Sequence, residues 1–319
     1  MESYLIYTFA GIIFGLFRTL PRVPATRLLN LLAAVAYLID PKHRHIARVN
    51  LKIALPELSA QERDRIGRES FRNTARNLLE ISRLTRLTTR NIQTLVEYDP
   101  DCGLNNFEAA RSKGKGILYL TGHFSAWELL PTAHALYGHP LRFVTRPLDN
   151  PLLERYLLRI RQAAGNRVIY KKNAARQILE TLKAAGSVGI LMDQNTDPQQ
   201  DGIFVDFFGV PAATTTSVAL FALRADVPVL PGYLTPMRDG RYRIRFLQPV
   251  EVTRTGDNAR DVHFNTQRFN RILEQIIREQ PESWLWGHKR WWYQTHDNPP
   301  DLYRLSNSDL EAFLRASRK

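Results

Sequence analysis

The sequence predicts an α/β fold: a mostly parallel central sheet flanked by helices, with a helical N-terminal part associated with a membrane. Three observations carry this. From about residue 115, short β-rich runs alternate with helical ones, the order that builds parallel sheets. One run, VGILMD at 188–193, is apolar on both faces, as a central strand must be. Residues 1 to about 95 carry helical spacing and no strand pattern.

Composition narrows the class. Across 319 residues, 44% hydrophobic and 24% charged, the chain is too apolar for disorder. Its one cysteine, Cys102, excludes an internal disulfide, a cysteine-built zinc site and a redox pair, and suits the reducing side of a membrane. The net charge of +13 predicts acidic partners, whether nucleic acid, anionic membrane, phosphorylated lipid or an acidic carrier protein.

The elements follow in order. Residues 3–17 carry no charge, but a helix of that length, about 22 Å, falls short of a bilayer core of roughly 30 Å. Glu2 before the run and the lack of an A-x-A site after it argue against a signal peptide. A second apolar run, 28–39, leads into a stretch bearing Lys42, Arg44, Arg48 and Lys52. Apolar segments beside cations suit the anionic cytoplasmic leaflet, so residues 1–40 are expected to anchor the chain and 41–319 to form its main domain. Ser59 and Glu62 form a capping-box pattern ahead of a helix with Ile66, Phe71, Leu78 and Ile81 on helical spacing. Strands at 117–121, 142–145, 168–170 and 188–193 alternate with helices at 127–138, 150–164, 174–185 and 216–225. Runs 228–235 and 242–250, joined through Pro236–Gly240, predict an antiparallel pair at one edge. A helix at 263–280 and an aromatic tail complete the chain.

In α/β sheets, sites gather at the carboxyl ends of strands. That rule points to 121–128, to Arg146 and to Asp193. In GHFSAWE, His123 and Glu128 are five residues apart, roughly 140° around a regular helix, so they cooperate only if His123 sits on the turn leaving the strand. Gly122 permits that turn. A carboxylate on the imidazole then fixes its tautomer and makes it a base. The plain alternative is a surface histidine beside an unrelated helical glutamate. The histidine spacing fits no H-E-x-x-H metal site, no G-x-S-x-G elbow is present, and no glycine loop cradles phosphate, so neither metal nor cofactor is expected.

Five blocks in order, GHFSAWE, FVTRPLDNPLLERYLLRIR, GILMDQN, GIFVDFFGVPAATTTSVALFALRADVPVLPGYL and PESWLWGHKRWWY, resemble the bacterial lipid A late acyltransferases, a family that also holds mycobacterial phosphatidylinositol mannoside acyltransferases. The resemblance runs from about residue 10 to about 295. It implies a glycerol-phosphate-acyltransferase-like fold and direct transfer of a fatty acyl group from acyl carrier protein to a hydroxyl of a lipid A precursor. It further implies an inner-membrane enzyme, with its site on the cytoplasmic face and no nucleic-acid partner. His123 is then the general base and Glu128 its orienter. Arg146 stabilises the oxyanion or clamps an acceptor phosphate, and Asp193 contacts His123 or fixes Arg146. Gln194 and Asn195 hold the acceptor. Separately from the resemblance, Phe207, Phe208, Val210 and Pro211 read either as an apolar lip, with Phe208 and Gly209 binding substrate, or as ordinary core, before a helix whose start, Thr214–Thr216, can receive an anion.

Two departures, Ser125 and Ala126 where such sequences more often have Gly-Asn, and Met192 where they often have Pro, bear on the acceptor pocket. Four tryptophans within nine residues, interleaved with Lys289 and Arg290, suggest a headgroup surface. Such interleaving also suits single-stranded nucleic acid, but the apolar N-terminus favours the membrane. The competing readings are an acyl-CoA-dependent acyltransferase for another glycolipid or phospholipid, and a non-catalytic basic membrane binder of the same fold.

Overall fold

A computed structural model describes residues 2–172, 174–295 and 300–318. The chain opens with four helices, α1 (Glu2–Thr19), α2 (Arg22–Ile39), α3 (Pro41–Ala54) and α4 (Ala60–Arg83). Each boundary has a local cause. Arg83 of α4 donates to the carbonyls of Phe17 and Leu20, satisfying acceptors that the end of α1 leaves free. Asp40 caps α3, with Pro41 in its first turn. Ser59 and Glu62 make the expected capping box on α4.

There follow β1 (Val96–Tyr98), α5 (Leu104–Arg111), β2 (Ile117–Thr121), α6 (Leu129–Leu136), β3 (Arg142–Thr145), α7 (Pro151–Gln162), β4 (Arg167–Tyr170), α8 (Ala174–Lys183) and β5 (Ser187–Leu191). The chain continues through β6 (Gly202–Phe207), β7 (Val210–Thr215), α9 (Ser217–Ala225), β8 (Val229–Pro236), β9 (Tyr242–Phe246), α10 (Asn258–Glu279) and α11 (Asn307–Ser317).

The seven-stranded sheet runs β1-β9-β8-β2-β5-β3-β4, and its pairs are parallel except β8 with β9. The α/β expectation and the antiparallel pair therefore hold, with one correction. The β8–β9 pair is not at the edge, because β1 adds outside it, parallel to β9. Leu118, Leu120, Val188 and Ile190 pack on one face, while Ile117, Tyr119, Phe143 and Leu230 pack on the other. That two-sided burial is what an apolar parallel strand requires. A separate hairpin, β6–β7, occupies the stretch read as an apolar lip.

The N-terminal helices pack on the body through one face. Ala25, Leu29, Ala33 and Tyr37 of α2 are buried, and Phe17 of α1 with Leu29 and Leu79 forms a small core of its own. The opposite faces are bare: Leu5, Phe9 and Ile12 are 66%, 66% and 65% exposed, and Leu31, Leu38 and Ile39 of α2 are also exposed. By length and composition, α2 is apolar enough to cross a membrane.

Candidate active site

The carboxyl ends of β2, β3, β4 and β5 open into one cavity of about 570 Å³ that straddles the sheet. Leu130, Leu141 and Phe143 line it on one side, and Ile178, Ile190 and Phe221 on the other. His123, Glu128, Arg146, Gln194 and Asn195 all face it. Five of the expected polar residues thus share one space.

Asp193 lies beneath that surface, 2% exposed. Its carboxylate accepts three hydrogen bonds: His123 Nδ1 at 2.9 Å, the His123 backbone N–H at 2.8 Å and Trp284 Nε1 at 2.7 Å. The approach is so close that a Cβ on Gly122 would lie 2.8 Å from the Asp193 carboxyl carbon, so glycine is required there. Because a carboxylate only accepts, the proton of a neutral His123 sits on Nδ1 and Nε2 is left as the free base. Gln194 brings its amide nitrogen within 3.4 Å of Nε2.

The electrostatics agree. Burial works against a charged His123, but the charge and hydrogen bond of Asp193, with a smaller effect of Glu128, raise its pKa above 6.5. Burial likewise opposes ionising Asp193, yet His123 and Trp284 hold its carboxyl at about 2.

Glu128 was expected to hold His123. Instead its two oxygens take the guanidinium fork of Arg161, with Nε at 3.0 Å, and both side chains are nearly buried. A bidentate fork satisfies a carboxylate better than one imidazole N–H does, and Nδ1 of His123 is taken by Asp193. Glu128 still acts on His123 through its charge.

Other expectations need correcting. Phe208 and Gly209 are outside the cavity lining; they form the β6–β7 turn, with φ of +58° and +74°, held by Glu274 and Asp206. A two-residue hairpin turn with both φ positive matches strand twist, which is why the chain reverses there instead of forming a lip. The start of α9 already holds a carboxylate, since Thr215 and Ser217 hydroxyls donate to Asp201 at 3.0 and 3.3 Å. Ser125, Ala126 and Met192 are buried and do not line the cavity. Ser125 holds a left-handed φ of +50°, a conformation that glycine takes without strain.

The aromatic tail is core, not a headgroup surface. Trp284, Trp286, Arg290 and Trp291 are buried, and only Trp292 is exposed, beneath Lys289. Polar side chains from distant helices pin this strap: Asn50 donates to the carbonyls of Trp286 and His288, and Ser70 to that of Trp284. The strap in turn places Trp284 on Asp193, while Leu285 N–H donates to the His123 carbonyl.

Sequence reasoning missed Arg161, Trp284 and His288, the last a histidine that burial pushes down to about 4 and that meets Asn195. Their partners Glu128, Asp193 and Asn195 lie 33, 91 and 93 residues away, so no local pattern marks them.

A family model described as bacterial lipid A biosynthesis acyltransferase matches residues 1–292. The chain is similar to the lipid A biosynthesis palmitoleoyltransferase of Escherichia coli (strain K12), 26% identical over 251 residues, covering 78% of each chain. It is similar also to the lauroyltransferase of the same strain, 26% identical over 246 residues, 77% of this chain and 78% of that one. A lipid A biosynthesis acyltransferase of Haemophilus influenzae is 25% identical over 268 residues, 83% of this chain and 82% of that one.

Proposed function

The chain belongs to the bacterial lipid A biosynthesis acyltransferases, and from this we propose that it moves a fatty acyl group from acyl carrier protein to a hydroxyl of a lipid A precursor. The observation that carries the chemistry is the His123–Asp193 pair, which leaves Nε2 unprotonated, beside the Gln194 amide, on a side chain that lines the cavity. The acceptor hydroxyl attacks the thioester carbonyl as Nε2 takes its proton. The tetrahedral intermediate collapses, the carrier thiolate leaves, and the imidazolium returns the proton to its sulfur. Asp193 holds the ring and stabilises the imidazolium; Glu128, fixed by Arg161, adds a second negative charge. Gln194 orients the acceptor oxygen, and Arg146 receives substrate at the cavity mouth. Cys102 takes no part: its sulfur lies against Arg245 at 3.3 Å, outside the cavity.

The sheet is read as glycerol-phosphate-acyltransferase-like. The bare apolar faces of α1 and α2 support seating in the inner membrane, with the cavity on the cytoplasmic side, where carrier protein and thioester are found. An enzyme of charge +13 draws an acidic carrier by long-range attraction. The test compares acyl carrier protein with acyl-CoA and a minimal acyl-pantetheine as donors. Raising salt from about 0.05 to about 0.3 M should raise the KM for the carrier protein far more than for pantetheine, since screening shortens over that range. Equal use of acyl-CoA and carrier protein, with one salt response, contradicts the carrier assignment.

A further inference from the structure

The segment that carries α11 lies beyond residue 292, where the family match ends, yet it is packed into the body. Leu302, Leu310 and Leu314 join the core that holds one face of β2 and β5, and Tyr303 is buried with them. The Tyr303 hydroxyl has two partners. It accepts from the Trp291 N–H at 3.0 Å and donates to Asn50 Oδ1 at 2.7 Å. Asn50, on α3, is wholly buried, and its Nδ2 donates to the carbonyls of Trp286 at 2.7 Å and His288 at 2.6 Å.

This arrangement fixes the sense of the Asn50 amide. The Trp291 N–H can only donate, so the hydroxyl proton is left for Oδ1, and both amide hydrogens face carbonyls that can only accept. Without the hydroxyl, Oδ1 is a buried acceptor with no partner, a cost relieved by displacing the amide and the strap it holds.

The strap in turn meets the reacting groups at three points. Trp284 Nε1 donates to Asp193 at 2.7 Å, Leu285 N–H to the His123 carbonyl at 3.2 Å, and the Ser283 carbonyl accepts from Ser125 N–H at 2.7 Å. The turn that presents His123 is therefore bonded at the histidine and two residues beyond it. Tyr303 and Asn50 themselves lie outside the cavity lining.

We propose that the C-terminal segment is a clasp for the active site, in which Tyr303 is a positioning residue that holds His123 and Asp193 in place through Asn50 and the strap. The inference rests on His123 and Asp193 being the catalytic pair.

The experiment measures kcat and KM for Tyr303→Phe, which keeps the ring and removes the hydroxyl, and for Asn50→Ser, with thermal melts in parallel. Neither residue touches the cavity, so kcat should fall roughly 10–100-fold while KM for donor and acceptor changes little, the scale of a displaced reacting group. Each change is then combined with Trp284→Phe. The double variant should be no more than about twofold slower than Trp284→Phe alone, whereas independent roles would multiply the losses. Glu311→Gln, which cuts the ion pair of α11 with Lys52, should leave kcat at the wild-type value. Wild-type kcat in a folded Tyr303→Phe protein, multiplied losses, or an equal fall in Glu311→Gln overturns the proposal. If Tyr303→Phe does not fold, Asn50→Ser reads the same path from the other side of the bond. If the wild type transfers no acyl group, the functional reading fails on its own, and the clasp is read by hydrogen exchange. The Leu285 and Trp291 amides should then exchange about tenfold faster in Tyr303→Phe, with the β2 amides unchanged; equal rates in the two proteins would overturn it.

Discussion

Replacing Asp193 by asparagine removes one negative charge and almost no volume. The carboxylate receives donors at 2.9, 2.8 and 2.7 Å, and an amide offers them one oxygen while turning an NH2 toward the rest. The stranded donors cost about 1–3 kcal/mol of stability. If the NH2 faces His123, Nδ1 becomes the acceptor, the proton moves to Nε2, and the base is lost. General-base loss costs about 10²–10⁴ in rate, and the equivalent Asp→Asn change in a serine-protease triad costs about 10⁴, so a fall of about 10³ is expected. The pH response follows from the same pair. In the native protein His123 is raised above 6.5, so its base form appears only above that value and the acid limb of kcat/KM lies there. Without Asp193 burial dominates, and the limb should move below 6.5.

Stability tests the pair a second way. Asp193, held at about 2 against 3.8 unfolded, stabilises the fold above 3.8, and that is lost as pH falls toward 2. The raised His123 stabilises the fold below 6.5, and that is lost as pH rises through its folded value. The melting-temperature gap between wild type and Asp193→Asn should therefore be widest between those limits. The assay is mass-spectrometric acyl transfer across pH, with thermal melts in parallel. Near-normal turnover in a folded Asp193→Asn protein, or an acid limb that stays put, would refute the reasoning.

Two further outcomes follow from the fold. Changing Leu5, Phe9 and Ile12 to glutamine should release much of the protein from membranes while its melting temperature stays close to wild type. High salt alone should not release the wild type, because salt screens charge and leaves apolar burial intact; complete release by salt contradicts the anchoring role of α1. Ser125→Gly relieves a left-handed backbone and should stabilise the protein by about 0.5–1 kcal/mol, seen as a rise in melting temperature, and a fall would mean the Ser125 conformation is unstrained.

Much of the scaffold was legible because its signals are local. Ser59 and Glu62 announce their own capping box, and apolar runs that alternate with helical spacing announce a parallel sheet. The strand-end rule found His123, Arg146 and Asp193 without any knowledge of their partners. Long-range choices were not legible. Which carboxylate reaches the imidazole depends on Arg161 claiming Glu128 from 33 residues away. The tryptophan strap carries the composition of an interface, and distant partners, among them Asn50 and Ser70 more than 200 positions away, make it core. The β6–β7 hairpin was hidden because its turn puts a phenylalanine at positive φ, where asparagine or aspartate would have flagged it.

The most direct test of the account is a single reaction followed by mass spectrometry: purified protein, acyl carrier protein loaded with a fatty acyl group, and a lipid A precursor, run with wild type and with His123→Ala. The account predicts one acyl mass added to the precursor by the wild type, and a rate at least ~10²-fold lower in a variant that melts normally. Equal transfer by the two proteins would contradict His123 as the base, and no transfer by the wild type would contradict the assigned reaction.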